Sequence, residues 1–317
     1  MSVSNPGEAR GDAGPERATA AQDGSRRRGR GELRTRLVFA PLMLLAIAVV
    51  YWADATTMAD AGLRGVLTAG VLGLLGIAGV FEFVAMMRQG GYAVAPTLLP
   101  LFTIALHATA FFFQWHELDR ELYPLVIATL ALLFPLALES LAAGRMSQGL
   151  ERQGATMLGF VMIAWPMFLA QGIALRHLPS VLFVVLVCKS GDIGAYLLGI
   201  AAGRRKLIPH ISAGKTVEGA LGSMLASVLA AALLVDPLLH PEVPLGLTGA
   251  ILTGIMLNIT TQSGDLIESL LKRRCGVKDS SRLLPAHGGV LDLIDSLLFS
   301  FPAYLVVLIL LTGRTAP

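Results

Sequence analysis

The sequence predicts an all-α polytopic membrane protein of about nine transmembrane helices, with its amino terminus in the cytoplasm. Three observations carry this. Hydrophobic residues make up 54% of the chain and charged residues 15%, against about 25% charged in a soluble domain, and the mean hydropathy is +0.67. Apolar runs near the length of a membrane-spanning helix recur along most of the chain. Lys and Arg collect in alternate loops, as the positive-inside bias requires.

Residues 1–35 are rich in Gly, Ala, Arg and Ser and contain Arg26-Arg27-Arg28-Gly29-Arg30. They read as a disordered basic cytoplasmic tail at a membrane surface. No apolar core within the first thirty residues suits a cleaved signal peptide. The tail also lacks the aromatic residues that stack nucleic-acid bases, so no nucleic-acid partner is expected. Apolar segments follow at 37–53, 63–87, 95–115, 122–143, 156–176, 178–202, 217–236, 245–271 and 291–312. With the amino terminus inside, the internal loops hold Arg88, Arg145, Arg152, Arg204, Arg205, Lys206, Lys215, Lys272, Arg273, Arg274, Lys278 and Arg282. The external side holds only Arg64, Arg120, Arg176 and Arg314. The chain thus divides into the tail, amino-terminal transmembrane helices over 36–176, and a carboxy-terminal transmembrane region over 177–317 with two polar cytoplasmic loops. Two cysteines without CxxC or Cys/His spacing point to free thiols rather than a zinc site.

The chemistry concentrates between Ser263 and Asp295. Asp265, Glu268, Ser269 and Lys272 fall at i, i+3, i+4 and i+7 and share one helix face. Asp292 and Asp295 share a face at the start of the next apolar run. Two carboxylates 4 Å apart repel by about 4 kcal/mol at an effective dielectric of 20. Such a cluster needs a proton, a base or a metal ion. Asp265, Asp292 and Asp295 have the hard oxygens that suit Mg²⁺. A polar cluster anchoring helix ends is the alternative. The second constellation runs from Lys189 to Gly219. Lys189, Asp192 and Tyr196 share a face inside a span, where charge is costly. Asp192 either neutralises Lys189 or joins the acid cluster as a further ligand, and Gly191, Gly194 and Gly203, which open the backbone beside it, tilt the reading to the second. Gly214-Lys215-Thr216 precedes a helix and suits a phosphate cradle, although the GxxxxGK[ST] pattern is absent. Positive-inside topology with Thr216 as an N-cap is the simpler account. Glu82 and Glu139 read most simply as interface residues, with the lining of a cavity as the alternative, and His107, His116, His177 and His240 as packing or interfacial ones.

These residues together resemble the phosphatidate cytidylyltransferases (CDP-diacylglycerol synthases). That family's signature stands here as Ser269, Lys272-Arg273, Lys278-Asp279, Pro285, His287-Gly288-Gly289, Asp292 and Asp295, with every spacing kept. Asp192, Ala195-Tyr196, Gly203-Arg204, Lys206-Leu207, Pro209, Ile211-Ser212, Lys215-Thr216 and Glu218-Gly219 extend the likeness upstream. Two departures stand out: Leu293 replaces an arginine, and Ser212-Ala213-Gly214 replaces the usual Ser-Pro and lysine. The resemblance implies transfer of CMP from CTP to phosphatidate in a bacterial inner membrane, with the site facing the cytoplasm. It implies Asp192, Asp265, Asp292 and Asp295 as ligands of Mg²⁺, with a second cation left open. Lys215, Lys272, Arg273 and Lys278 would neutralise phosphates. Thr216, Ser269, His287, Gly288 and Gly289 would shape the site. A homodimer is expected from the family alone. The competing readings are another CTP-dependent lipid enzyme (a lipid kinase, or a cytidylyltransferase for a different lipid phosphate), a cation-coupled transporter, and an inactive relative serving as a scaffold.

Overall fold

The computed structural model describes residues 45–58, 63–115, 122–142, 146–284 and 288–313. The expected basic tail lies outside these, as does His287. The helices are α1 (Leu45–Met58), α2 (Val66–Gln89), α3 (Leu98–Trp115), α4 (Leu122–Ala142), α5 (Met146–Gly159), α6 (Trp165–Arg176), α7 (Leu178–Ala202), α8 (Val217–Leu239), α9 (Gly246–Arg274), α10 (Val290–Leu298) and α11 (Ser300–Thr312). A π-helical turn, Phe160–Ala164, joins α5 to α6, so that Gly149–Arg176 forms one apolar helix. Likewise Val290–Thr312 forms one, with α10 and α11 meeting at Phe299.

Among the described residues, five helices are long and apolar enough to cross a membrane by length and composition: Val66–Gln89, Gly149–Arg176, Leu178–Ala202, Val217–Leu239 and Val290–Thr312. The other expected spans, so far as they are described, correspond to helices that are shorter or less apolar. Leu45–Met58, Leu98–Phe112 and Leu125–Leu138 are short apolar stretches. α9 has the length, but Asn258, Thr260, Thr261, Gln262, Ser263 and Asp265 interrupt its apolar surface. On α8, Leu221, Leu225, Leu229 and Leu233 stand exposed at i, i+4 spacing. A helix face of this kind suits lipid, which need not be excluded as water must.

α7, α8 and α9 pack closely because glycines let their backbones approach. A Cβ on Gly194 would lie 2.5 Å from that of Ala226, and one on Gly254 would lie 2.9 Å from the Cα of Val228. Gly191 faces Ser223, Ser227 and Asn258 with no room for a methyl group. The sequence suggested that Gly191 and Gly194 open the backbone beside Asp192; helix packing occupies that space instead. Asn258 fills the seam, donating to Ser223 Oγ at 2.7 Å and Ser227 Oγ at 3.0 Å. These bonds satisfy polar groups that would be costly to bury alone.

Capping explains several helix limits. Asp54 accepts from the amides of Gly65 and Thr68 at 2.8 and 2.7 Å, starting α2. Thr216 accepts from Gly219 N at 3.0 Å and starts α8, as its N-cap reading expects. At the end of α9, Gly276 takes φ +71, and the amides of Gly276 and Val277 donate to Arg273 O and Lys272 O. That Schellman pattern, with Val277 packed on the core, turns the chain into the polar loop before α10. The loop ahead of α8 is more ordered than the sequence suggested. It forms an antiparallel hairpin of β1 (Lys206–Ile208) and β2 (Ser212–Thr216), with Lys206 opposite Thr216.

At the opposite end of α7, His177 Nδ1 lies 2.8 Å from Ser180 Oγ and its Nε2 lies 2.6 Å from Glu242. Burial lowers the imidazole pKa from its ordinary value, against the opposing pull of Glu242. His107 is also buried, bonded to Gln171, whose amide donates to Ala69 O. Both histidines therefore serve packing, the role read from the sequence.

Candidate active site

The site forms where α9, the loop after it, α10 and the β-hairpin meet. Lys272 is its electrostatic centre. Its ammonium pairs with Glu268 one turn earlier and lies 2.6 Å from Asp292 Oδ1 across the loop. The three side chains are nearly shut off from solvent, at 11%, 0% and 8% exposure respectively. Among the described residues, Glu268 has this ion pair and no hydrogen-bond donor. The i, i+4 relation seen in the sequence thus places a buried base between two buried acids.

Asp292 also organises the loop. Its Oδ2 accepts from Ser280 N at 2.8 Å, Ser280 Oγ at 2.7 Å and Gly289 N at 2.8 Å. The last bond is the backward half of a capping box, with the third residue of α10 satisfying the N-cap amide. Gly288 has φ +89, a conformation that favours glycine. Leu284 and Gly288 exchange backbone bonds of 2.7 and 2.9 Å that pinch the loop closed. A Cβ on Gly289 would collide with Ser280 Oγ and the Glu82 carboxylate. Gly289→Ala is therefore expected to reduce turnover at least tenfold, by forcing apart the loop that holds Asp292. Steady-state rates on folded protein test this, and an alanine variant with normal kcat would contradict it.

Lys215, on β2, reaches Asp265 on α9 at 2.8 Å, and Ser269 donates to the other oxygen of Asp265 at 3.2 Å. The hairpin therefore brings together the two constellations that the sequence keeps about fifty residues apart. On α7, Lys189 contacts Asp192 at 3.1 Å and Ser296 Oγ, on α10, at 3.2 Å. Asp295 Oδ1 accepts from Ser296 N at 2.5 Å. Asp295 also lies close enough to Asp265, Lys189 and Lys272 for electrostatic coupling.

The four acids expected to share one metal do not gather. Among the described residues, no group of three or more His, Cys, Asp or Glu is placed to hold an ion. The reason is local pairing. Both oxygens of Asp292 are taken, one by Lys272 and one by three loop donors, and Asp192 faces Lys189. Asp265 is engaged as well, by Lys215 at one oxygen and Ser269 at the other, while Asp295 lies within electrostatic range of it. Asp295 has only its neighbour's amide as a hydrogen-bond donor among the described residues. Asp295, joined by Asp265 when Lys215 turns to another anion, would supply the one or two carboxylates that Mg²⁺ usually takes, its other positions going to water and phosphate.

The remaining expected residues contribute differently. Thr216 caps α8, and Arg273 donates to Val277 O at 3.1 Å. Lys278 is exposed at the loop edge. Leu293, where the resemblance expects arginine, packs against the apolar core. Cys275 is buried beside Met87, with its sulfur 3.8 Å from the thioether. Burial raises its thiol pKa, which suits packing rather than reactivity.

The sequence reading missed Glu82. It is 9% exposed rather than interfacial. Glu82 accepts from Ser281 Oγ at 2.7 Å, Ser280 Oγ at 3.0 Å, Val290 N at 3.0 Å and Leu291 N at 2.8 Å. The available signal was a single acid within the apolar length of α2, which deserves a functional reading by default.

The chain is similar to known proteins along most of its length. The model of the cytidylyltransferase family matches residues 34–311. A phosphatidate cytidylyltransferase of Staphylococcus epidermidis is 30% identical over 264 residues, covering 74% of this chain and 97% of the relative. The uncharacterized Escherichia coli protein YnbB is 45% identical over 124 residues, 39% of this chain and 40% of YnbB. A phosphatidate cytidylyltransferase of Staphylococcus aureus is 42% identical over 132 residues, 41% of this chain and 48% of the relative. The last two alignments thus span less than half of those relatives. With the match running from before the first described helix into α11, the chain belongs to the cytidylyltransferase family.

Proposed function

We propose that this protein transfers CMP from CTP to phosphatidate, forming CDP-diacylglycerol and pyrophosphate for phospholipid biosynthesis. The observation that carries the reading is the meeting of Lys215 with Asp265 and of Lys272 with Asp292 at one site. The names of the staphylococcal relatives supply the substrate class. In this reaction an oxygen of the lipid phosphate bonds to the α-phosphorus of CTP. The bond from that phosphorus to the bridging oxygen breaks, and pyrophosphate leaves with the electron pair. The attacking phosphate is already anionic, so the protein's tasks are alignment and charge neutralisation. Lys215 can exchange its acid partner for phosphate oxygens, and Lys272, held between Glu268 and Asp292, presents a fixed positive charge to them. Arg273 and Lys278 add positive charge at the loop edge, and Gly288 and Gly289 shape the loop beside the nucleotide.

Asp265 and Asp295 are the residues that would hold Mg²⁺. When bound, the ion neutralises charge on the nucleotide phosphates. Asp292 supports the site by fixing Lys272 and the loop, and Asp192 by fixing Lys189. The topology proposed is nine spans with a cytoplasmic amino terminus. It puts the hairpin and the loop after α9 on the cytoplasmic face of a bacterial inner membrane, where CTP is available. A homodimer belongs to the same proposal.

The test is pyrophosphate release by the detergent-purified full chain given CTP, phosphatidate and Mg²⁺. Release is expected only with all three present, together with a CDP-lipid product. CDP as the released nucleotide would identify a lipid kinase instead. No release with any lipid phosphate or divalent cation would overturn the reading, and the result would also decide whether Leu293 is tolerated.

A further inference from the structure

We infer that Glu82, on α2, is a positioning residue for the active-site loop, acting on the reaction through Ser280 and Asp292. This rests on the CMP-transfer reading for its consequence but not for its geometry. Glu82 is buried, and its donors are two hydroxyls of the loop and the first two amides of α10. A carboxylate at the start of a helix is stabilised by unpaired amides and by the helix dipole. A simple helix anchor would end there.

Ser280 makes the difference. Its hydroxyl lies 3.0 Å from Glu82 Oε2 and 2.7 Å from Asp292 Oδ2. A serine has one hydroxyl proton to donate, so the two carboxylates compete for it and are coupled through it. Asp292 in turn holds Lys272. The chain of contacts therefore runs from α2, through one hydroxyl, to the buried base. The end of α2 adds a second anchor. A Cβ on Gly90 would lie 2.8 Å from the Cα of Cys275, so α2 abuts the loop at both of its ends. A site built from residues after 188 thus depends on an acid more than a hundred positions earlier.

Glutamine at position 82 keeps the shape but turns one acceptor into a donor. Because the two oxygens each serve one hydroxyl and one amide, either orientation of the amide loses a pair of bonds. Three full-length variants test the inference: Glu82→Gln, Glu82→Asp and the pair Ser280→Ala with Ser281→Ala. The readouts are steady-state kinetics with CTP and phosphatidate, and amide hydrogen exchange. Expected for Glu82→Gln is a fall in kcat of at least tenfold. Exchange over 277–291 should quicken at least tenfold while α7 and α8 stay unchanged, and Glu82→Asp should recover part of both. The serine pair should reproduce both effects with Glu82 intact, which covers the case in which Glu82→Gln fails to fold. Wild-type kcat and exchange in folded variants would overturn the inference, as would faster exchange spread evenly over the protein. If the wild type itself transfers no CMP, the functional reading falls while the exchange data still decide the role of Glu82.

Discussion

Replacing Lys272 by methionine should stop CMP transfer and also destabilise the protein by about 3–5 kcal/mol, the usual cost of breaking a buried ion pair from one side. Lys272 faces two acids that are almost inaccessible to water, Glu268 at 0% and Asp292 at 8% exposure. Methionine fills a similar volume but leaves both carboxylates without their cation. Glu268 suffers more, since Lys272 is its ion-pair partner and no hydroxyl or amide donates to it among the described residues. Asp292 retains its three loop donors. Adding Glu268→Gln to Lys272→Met removes one of the stranded charges, so the double variant should regain much of the lost stability. It should not regain activity, because losing a preorganised cation beside the phosphates costs roughly 10²–10³ in rate. Unfolding in detergent and pyrophosphate release give the two readouts. A stable, active Lys272→Met would remove Lys272 from the centre of the site, and recovery of both stability and turnover in the double variant would reduce its role to packing.

The sequence makes the carboxy-terminal part of this site legible because its contacts are short in sequence or carried by a fixed spacing. Lys272 and Glu268 are one helical turn apart, and Gly289 and Asp292 are a capping pair. Both follow from helix periodicity and the start of an apolar run. The Thr216 cap was legible for the same reason. Contacts across helices were not. Glu82 meets residues about two hundred positions away, and nothing in a one-dimensional pattern says which helix α2 will lie against. The roles of the four aspartates were hidden by the same limit. Their clustering was visible, but whether each would face a lysine, a loop amide or another carboxylate depends on packing. Small residues misled in an instructive way. Gly191 and Gly194 suggested space around Asp192, yet in α-helical bundles glycine more often admits a neighbouring backbone, and here it admits α8.

That difference in pairing separates two aspartates that the sequence treats alike. Asp295→Asn is expected to lose CMP transfer by on the order of 10³-fold while leaving the protein as stable as the wild type or slightly more so. The amide still offers a carbonyl to Ser296 N, which is the one hydrogen bond Asp295 accepts among the described residues. It also removes a half-buried charge that has no ion-pair partner among the described residues, and taking such a charge out of water costs the folded state. Activity and stability should therefore move in opposite directions, the pattern of a group retained for function at a cost to folding. Asp292→Asn should behave differently. Its new amide must face either the Lys272 ammonium or the three donors from Ser280 and Gly289. Both arrangements oppose donor to donor, so about 3 kcal/mol or more of stability should go with the activity. Thermal unfolding of the two variants side by side, with Mg²⁺-dependent CTP binding measured on each, separates the roles. Asp295→Asn should remain folded and lose the Mg²⁺ dependence of binding. Normal turnover in that variant, or unfolding at the temperature of Asp292→Asn, would show that Asp295 is held for structure and that the ion sits elsewhere.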